Sequence, residues 1–244
     1  MIGSFNGYGS SSGSNPVVAL QLAIRTRAKS IAAVASQPQI KRDVAAFRAA
    51  VASAPDLKTL LANPAARRVL LTANGLGSQV DNKALAEKAL MSDPSKPGSL
   101  VNRLPDRRWA TMAQTFDFAN KGLDVLRDPA VLNRLGDGYA EIAWRKSLDQ
   151  ATPGLSRAID FRERASSATS AVQILGDPIL RDVVTTALGI PAQIAFQPLD
   201  TQERVINARL DVARLQDPKF VEQFTRRYLI AVAANGPQSP SLFV

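Results

Sequence analysis

The chain has no cysteine and no histidine in 244 residues. The first absence removes disulfides, thiolate nucleophiles and thiolate metal sites; the second removes the commonest metal ligand and the commonest general base. No EF-hand loop, P-loop or GxSxG elbow occurs either. No cofactor, metal site or catalytic residue is therefore expected, and the sequence reads as that of a protein that is not an enzyme. Long apolar runs are missing too. A bilayer span needs roughly 20 consecutive apolar residues, and the most apolar early segment, Pro16 to Ala35, is interrupted by Arg25, Arg27 and Lys29. No membrane span is expected. The opening "MIGSFNGYGSSSGSNP" lacks the basic start and apolar stretch of a cleavable secretory signal. The expected location is cytoplasmic, or exported without such a signal.

What is present is a 45% hydrophobic composition, enough for a well-buried core in one large or two small domains. Thirty Lys and Arg stand against 21 Asp and Glu, a net charge of +9. A field of that sign attracts nucleic acid, anionic lipid or an acidic protein alike.

Residues 1–15 are almost entirely Gly, Ser and Asn, too poor in packing groups to fold alone, and are predicted to be a flexible tail. Residues 237–244 are predicted to be a second tail. Between them the apolar residues recur at steps of three and four. A first helix is predicted from Asn15-Pro16, with the stripe Val17, Leu20, Ile24, Ala28, Ile31 and Val34 on its buried face. A second begins at Pro38 and buries Ile40, Val44, Phe47 and Val51. Further helices are predicted from Pro64 to "NGLG", over Lys83–Met91, from Pro105 to about Phe118, over Ser156–Leu175, Pro178–Leu188 and Asp200–Leu215, and from Pro218 to Ala234. After Asp128-Pro129 the apolar pattern runs to Leu148 through Gly136-Asp137-Gly138, which is either a short turn or a costly patch inside one helix. No pair of runs alternates as strands do. The fold class is all-α.

Five Asn/Asp-Pro pairs, at residues 63, 93, 128, 177 and 217, read as helix starts. The side-chain oxygen accepts an orphan N–H of the first turn, and Pro lacks the N–H that would go unpaired there.

"LLANPAARRVLLTANGLG" from Leu60 is echoed by "ILGDPILRDVVTTALGIP" from Ile174, 114 residues on. Aligned without gaps, Phe47–Gly77 and Phe161–Pro191 share 11 identities in 31 pairs, among them Phe47/Phe161, Pro64/Pro178, Arg67/Arg181 and Gly75/Gly189. The echo continues less closely to the end, so an internal duplication of a helical unit is expected, covering about 47–118 and 161–234. Two copies at so long a spacing do not make a solenoid. A single domain over 16–236, built from two related halves, is the expected organisation.

Lys88 to Phe118, "KALMSDPSKPGSLVNRLPDRRWATMAQTFDF", resembles the signature of an all-helical alphaproteobacterial family, the domain of unknown function family twelve-seventeen. The resemblance rests on Leu90, Ser92-Asp93, Ser99, Asn102-Arg103-Leu104, Asp106, Arg108-Trp109, Ala113, Phe116 and Phe118, preceded by Leu60-Leu61, Asn63, Val69-Leu70, Ala73 and Gly75-Leu76. Trp109 stands where a Tyr is usual. Genes of this family are frequent among flagellar and motility genes, and the family carries no established activity. The resemblance thus implies an interaction or assembly protein with protein partners, flagellar components among them, and no catalytic residue.

Asp93, Ser99, Asn102, Arg103, Asp106, Arg108 and Trp109 are the candidate functional residues. Their physical reading is a structural lock, in which an Asp–Arg pair joined by an Asn fixes how two short helices meet, or a partner-binding epitope. Binding of nucleic acid or another polyanion is the alternative. It is disfavoured because adjacent arginines such as Arg67-Arg68, Arg107-Arg108 and Arg226-Arg227 point about 100° apart on a helix. A hydrolase using Asp or Glu is weaker still; its one candidate pair, Asp137 and Glu141, has the i,i+4 spacing of a solvated face.

Overall fold

A computed structural model describes residues 15–235. Apart from Asn15, the two predicted tails lie outside the described residues. Helices follow one another with no strand among the described residues: α1 (Pro16–Ala35), α2 (Pro38–Ser53), α3 (Leu57–Ala62), α4 (Pro64–Ala73), α5 (Lys83–Leu90), α6 (Leu100–Arg103), α7 (Arg108–Phe116), α8 (Phe118–Lys121), α9 (Asp124–Arg127), α10 (Pro129–Ala151), α11 (Leu155–Arg164), α12 (Ala171–Gly176), α13 (Pro178–Ala187), α14 (Leu199–Asn207) and α15 (Pro218–Asn235). The fold is all-α.

Four of the five Asn/Asp-Pro pairs start helices as predicted. Asn63 Oδ1 accepts from the Ala65 and Ala66 amides, Asp177 Oδ1 from Ile179 and Leu180, Asp128 Oδ1 from Ala130, and Asp217 Oδ1 from Lys219. Asp93-Pro94 does not: a turn follows it, because Pro97 and Gly98 come too soon for a helix to propagate.

Other boundaries move for equally local reasons. The helix expected over Ser156–Leu175 stops at Arg164. Ser170 Oγ accepts from the Gln173 amide while Gln173 Oε1 accepts from the Thr169 amide, a reciprocal cap that starts α12 afresh. Likewise α14 ends at Asn207, and Asp211 caps a separate 3₁₀ turn, Val212–Gln216. The helix expected from Pro105 begins only at Arg108, whose amide donates to Asp106 Oδ1, and ends at Asp117, which takes a left-handed φ of 49°. On α1 the expected stripe is mostly not buried. Of the stripe only Leu20 is buried, joined by Ala23 outside it, and Ile24 is 41% exposed.

The Gly136–Gly138 patch lies inside a continuous helix. A Cβ at Gly136 would stand 3.3 Å from Val44 Cγ1, and one at Gly138 would stand 3.5 Å from the Cβ and the carbonyl oxygen of Ala73. The two glycines therefore let α10 approach α2 and α4 more closely than larger residues allow, which offsets their cost to the helix.

The contacts divide the chain into two compact units, Arg27–Arg145 and the remainder; the expected halves 47–118 and 161–234 fall one in each. In the first, Phe47, Leu60, Leu61, Val69, Leu70 and Trp109 are among the core residues. In the second, Phe161, Ile174, Val183, Leu215, Tyr228 and Leu229 are buried, and the Phe161 ring stacks on Phe224 with centroids 5.6 Å apart.

Candidate interaction motif

The seven candidate residues lie in one stretch, and five of them do three different jobs. Asp93 shapes the turn after α5. Its Oδ1 accepts from the amide and the hydroxyl of Ser95, at 3.0 and 2.7 Å, and these bonds hold its carboxyl below the ordinary carboxylate value. Asn102, on α6, closes the same loop from the other side: its Nδ2 donates to the carbonyls of Pro94 and Lys96, each at 2.9 Å. Ser92 Oγ, accepting from the Val101 amide at 3.2 Å, ties the loop to α6 as well.

Asp106 and Arg108 work on a different segment. Asp106 accepts from the Arg108 amide, from Nε at 2.9 Å and from Nη2 at 2.7 Å, and the guanidinium keeps its carboxyl ionised below the usual range. So oriented, Arg108 Nη1 donates to the Gly75 carbonyl at 2.5 Å. Gly75 has φ +77° and ends α4 in a Schellman turn, with Leu76 N bonded to Leu71 O and Gly75 N to Thr72 O. The pair thus clamps the motif to the end of α4, while Asn102 serves only the loop. Trp109 is a core residue, 2% exposed.

Two residues are not used this way. Arg103 is exposed and makes no ion pair with any described residue. Ser99 precedes α6 without capping it, and its enclosed Oγ has no hydrogen-bond partner among the described residues.

The doubled arginines separate as helix geometry requires. Arg67 turns inward, donating to the carbonyls of Leu61 and Val80 at 2.6 Å, whereas Arg68 reaches Asp43 at 3.4 Å. Asp137 and Glu141 also separate. Glu141 is paired with Arg27 at 2.5 Å and Arg145 at 2.7 Å, while Asp137 lines a groove of about 310 Å³ with Lys41, Arg48 and Asn133. No group of three or more acidic residues is placed to hold a metal among the described residues.

A buried polar cluster escapes the sequence reading. Asp43, 6% exposed on α2, accepts from Tyr139 Oη at 2.7 Å and Gln39 Nε2 at 2.9 Å, and pairs with Arg68 of α4. Burial, then the Asp43 hydrogen bond, pushes the Tyr139 phenol up to about 12. At positions 114 residues further on the same ion pair recurs with its signs exchanged: Arg157 on α11 meets Asp182 on α13 at 3.0 Å. A tyrosine attends it again. Tyr228 is raised first by burial and then by the charge of Asp182. The signal was in the sequence, since 43/157 and 68/182 are opposite charges at both ends of one offset.

A family model described as "Protein of unknown function (DUF1217)" matches residues 73–221. That span contains all seven candidate residues and the Gly75 turn on which Arg108 closes. No curated protein matches the chain. An X-ray crystal structure of an Agrobacterium tumefaciens protein from a structural genomics effort is similar over 96% of this chain and 99% of its own, with a TM-score of 0.73 at 24% identity. At that identity the likeness concerns the fold.

Proposed function

The chain belongs to the DUF1217 family, and from that premise we propose that it is a non-enzymatic interaction or assembly protein of the bacterial flagellum or motility system. The observation that carries the reading is how the motif is spent. Asp93, Asn102, Asp106 and Arg108 are occupied by backbone groups and by one another, so the motif maintains a shaped surface in place of presenting a reactive group. Arg103 and Arg107 are left exposed on that surface as contacts for a partner. The flagellar setting comes from the gene neighbourhood that the family resemblance implies. Deletion of the gene, with filaments counted by microscopy and swimming scored in soft agar, tests it: loss or shortening of filaments is expected, and normal filaments with normal swimming overturn it.

One observation favours a second reading. Residues 27–145 hold eighteen Lys and Arg against eleven Asp and Glu, whereas the rest of the chain holds twelve against ten. A polyanion would be drawn to the first unit. Binding to nucleic acid at low salt that weakens steeply as salt rises supports this alternative, and no gel shift even at low salt removes it.

We also propose that the two halves are copies of one ancestral unit. The support is that α3 and α12, α4 and α13, and the glycine turns after them keep the 114-residue offset residue for residue.

A further inference from the structure

Two surfaces that each carry a pair of exposed large apolar residues are complementary. The first follows α13. Pro191 to Leu199, "PAQIAFQPL", carries no charge, and only Ile194 in it is even partly covered. Phe196 is 77% and Leu199 51% exposed. This segment is held in shape: it contains the 3₁₀ turn Ala192–Phe196, and Gln202 Nε2 donates back to the Gln197 carbonyl at 2.7 Å. A contiguous exposed apolar surface held in a fixed shape marks a contact site. Asp200 and Glu203 follow on α14, and neither makes an ion pair with a described residue, while the neighbouring Arg204 is turned to the Asp200 carbonyl and the Thr201 hydroxyl. The matching region of the other unit is finished differently. There α5 is packed by α3, α6 and α7, while α14 packs chiefly on α12.

The second surface is the outer face of α1. Val18, Leu22, Arg25 and Lys29, at steps of four, three and four, share one side of the helix, and all four are exposed, Val18 at 58% and Leu22 at 52%. Neither Arg25 nor Lys29 makes an ion pair with a described residue. One surface thus offers Phe196 and Leu199 with two unpaired carboxylates; the other offers Val18 and Leu22 with two unpaired cations.

We propose that the protein associates head to tail with a second copy of itself, the outer face of α1 on one copy docking on the Phe196–Glu203 edge of the next. The occupant is argued from charge. In a chain of net +9 an apolar surface rimmed by two unpaired acids selects a basic apolar helix, and α1 presents one. Because the two patches differ, the contact is heterologous. Each added copy leaves one patch of each kind free, so growth proceeds to rings or open chains. The proposal goes beyond the assembly reading and does not depend on the flagellar setting.

Sedimentation velocity on the full chain from about 5 to 200 µM, the range in which small interfaces associate, provides the test. The expected result is a mass that rises with concentration and passes the dimer. Leu22→Glu and Phe196→Glu, both at exposed positions, should each be monomeric alone with unchanged circular dichroism. Mixed in equal amounts they should form a one-to-one dimer and stop there, since each supplies the patch the other lacks. If either variant fails to fold, Arg25→Glu/Lys29→Glu and Asp200→Lys/Glu203→Lys replace them: each should be monomeric alone, and the equal mixture should grow past the dimer, because charge reversal on both sides makes both contacts between the two variants complementary. Wild-type protein that stays monomeric through the range overturns the proposal. So do single variants that still associate, or a mixture that does not pair. Swimming plays no part in these readings, so they fail or succeed apart from the motility role.

Discussion

Residues 38–77 and 155–191 build the same device with different parts. In both, a short helix hands on, through a capped Asx-Pro step, to a ten-residue helix that packs against the long helix before it and is closed by a left-handed glycine. Leu76 N bonds to Leu71 O at 2.8 Å, as Ile190 N bonds to Thr185 O at 2.8 Å. Arg67 reaches back to the Leu61 carbonyl and Arg181 to that of Leu175, although at 2.6 Å in the first and 3.5 Å in the second. What differs is the sign of the pair between the long helices, and what covers the helix that follows the turn. The backbone geometry tolerates either polarity. It requires only that opposite charges meet, with a buried tyrosine beside them.

The strongest test of equivalence is at the core. Phe47 and Phe161 are both wholly buried, so Phe47→Ala and Phe161→Ala should each cost about 3–5 kcal/mol, and by similar amounts, in urea unfolding followed by circular dichroism. A large inequality would break the comparison. The exchanged ion pair sharpens it. Asp43→Arg alone should cost about 2–3 kcal/mol, less than a fully buried pair because the Arg68 side chain is 45% exposed. Adding Arg68→Asp, which reproduces the polarity of Arg157–Asp182, should return more than half of that loss. Tyr139 gives an independent reading. Its raised phenol contributes stability that is complete below the ordinary value of 10.0 and is lost as the pH climbs to about 12. In the double variant the carboxylate that adds to burial in raising it is gone from α2, and absorbance titration should show its ionisation at lower pH. The smallest effect is at the caps: Asn63→Ala and Asp177→Ala should each cost about 1 kcal/mol, with at most a few tenths more for Asp177 from its exposed contact with Arg164.

Local chemistry made much of this legible beforehand. The Asx-Pro starts, the glycine stops, the family motif and the all-α class depend on interactions within a few residues, and they read directly from the sequence. Asp93-Pro94 misleads because the veto comes from Pro97 and Gly98 just beyond the window of the cap. Gly136 and Gly138 could not be resolved as turn or helix because their reason is distant: the partners they approach, Val44 and Ala73, lie 92 and 65 residues earlier. The same distance hid the role of Arg108, whose carbonyl partner is 33 residues away, and of Asp43, whose tyrosine is 96 residues away. Periodicity told that α1 is amphipathic but placed its buried stripe too broadly, since a run rich in Ala, Val and Ile does not say which side meets a neighbour.

The exchanged polarity also bears on how such a chain finds its own fold. A polypeptide carrying two similar helical hairpins risks pairing a helix of one with its counterpart's partner, a hazard of proteins with similar segments. If α2 met α13 in place of α4, Asp43 would face Asp182; if α11 met α4, Arg157 would face Arg68. Each wrong match sets like charges together in a half-buried site, at a cost that neither correct match carries. Opposite polarity in the two hairpins is thus an address: it lets similar sequences be made in one chain, side by side in time, while each helix recognises its proper mate.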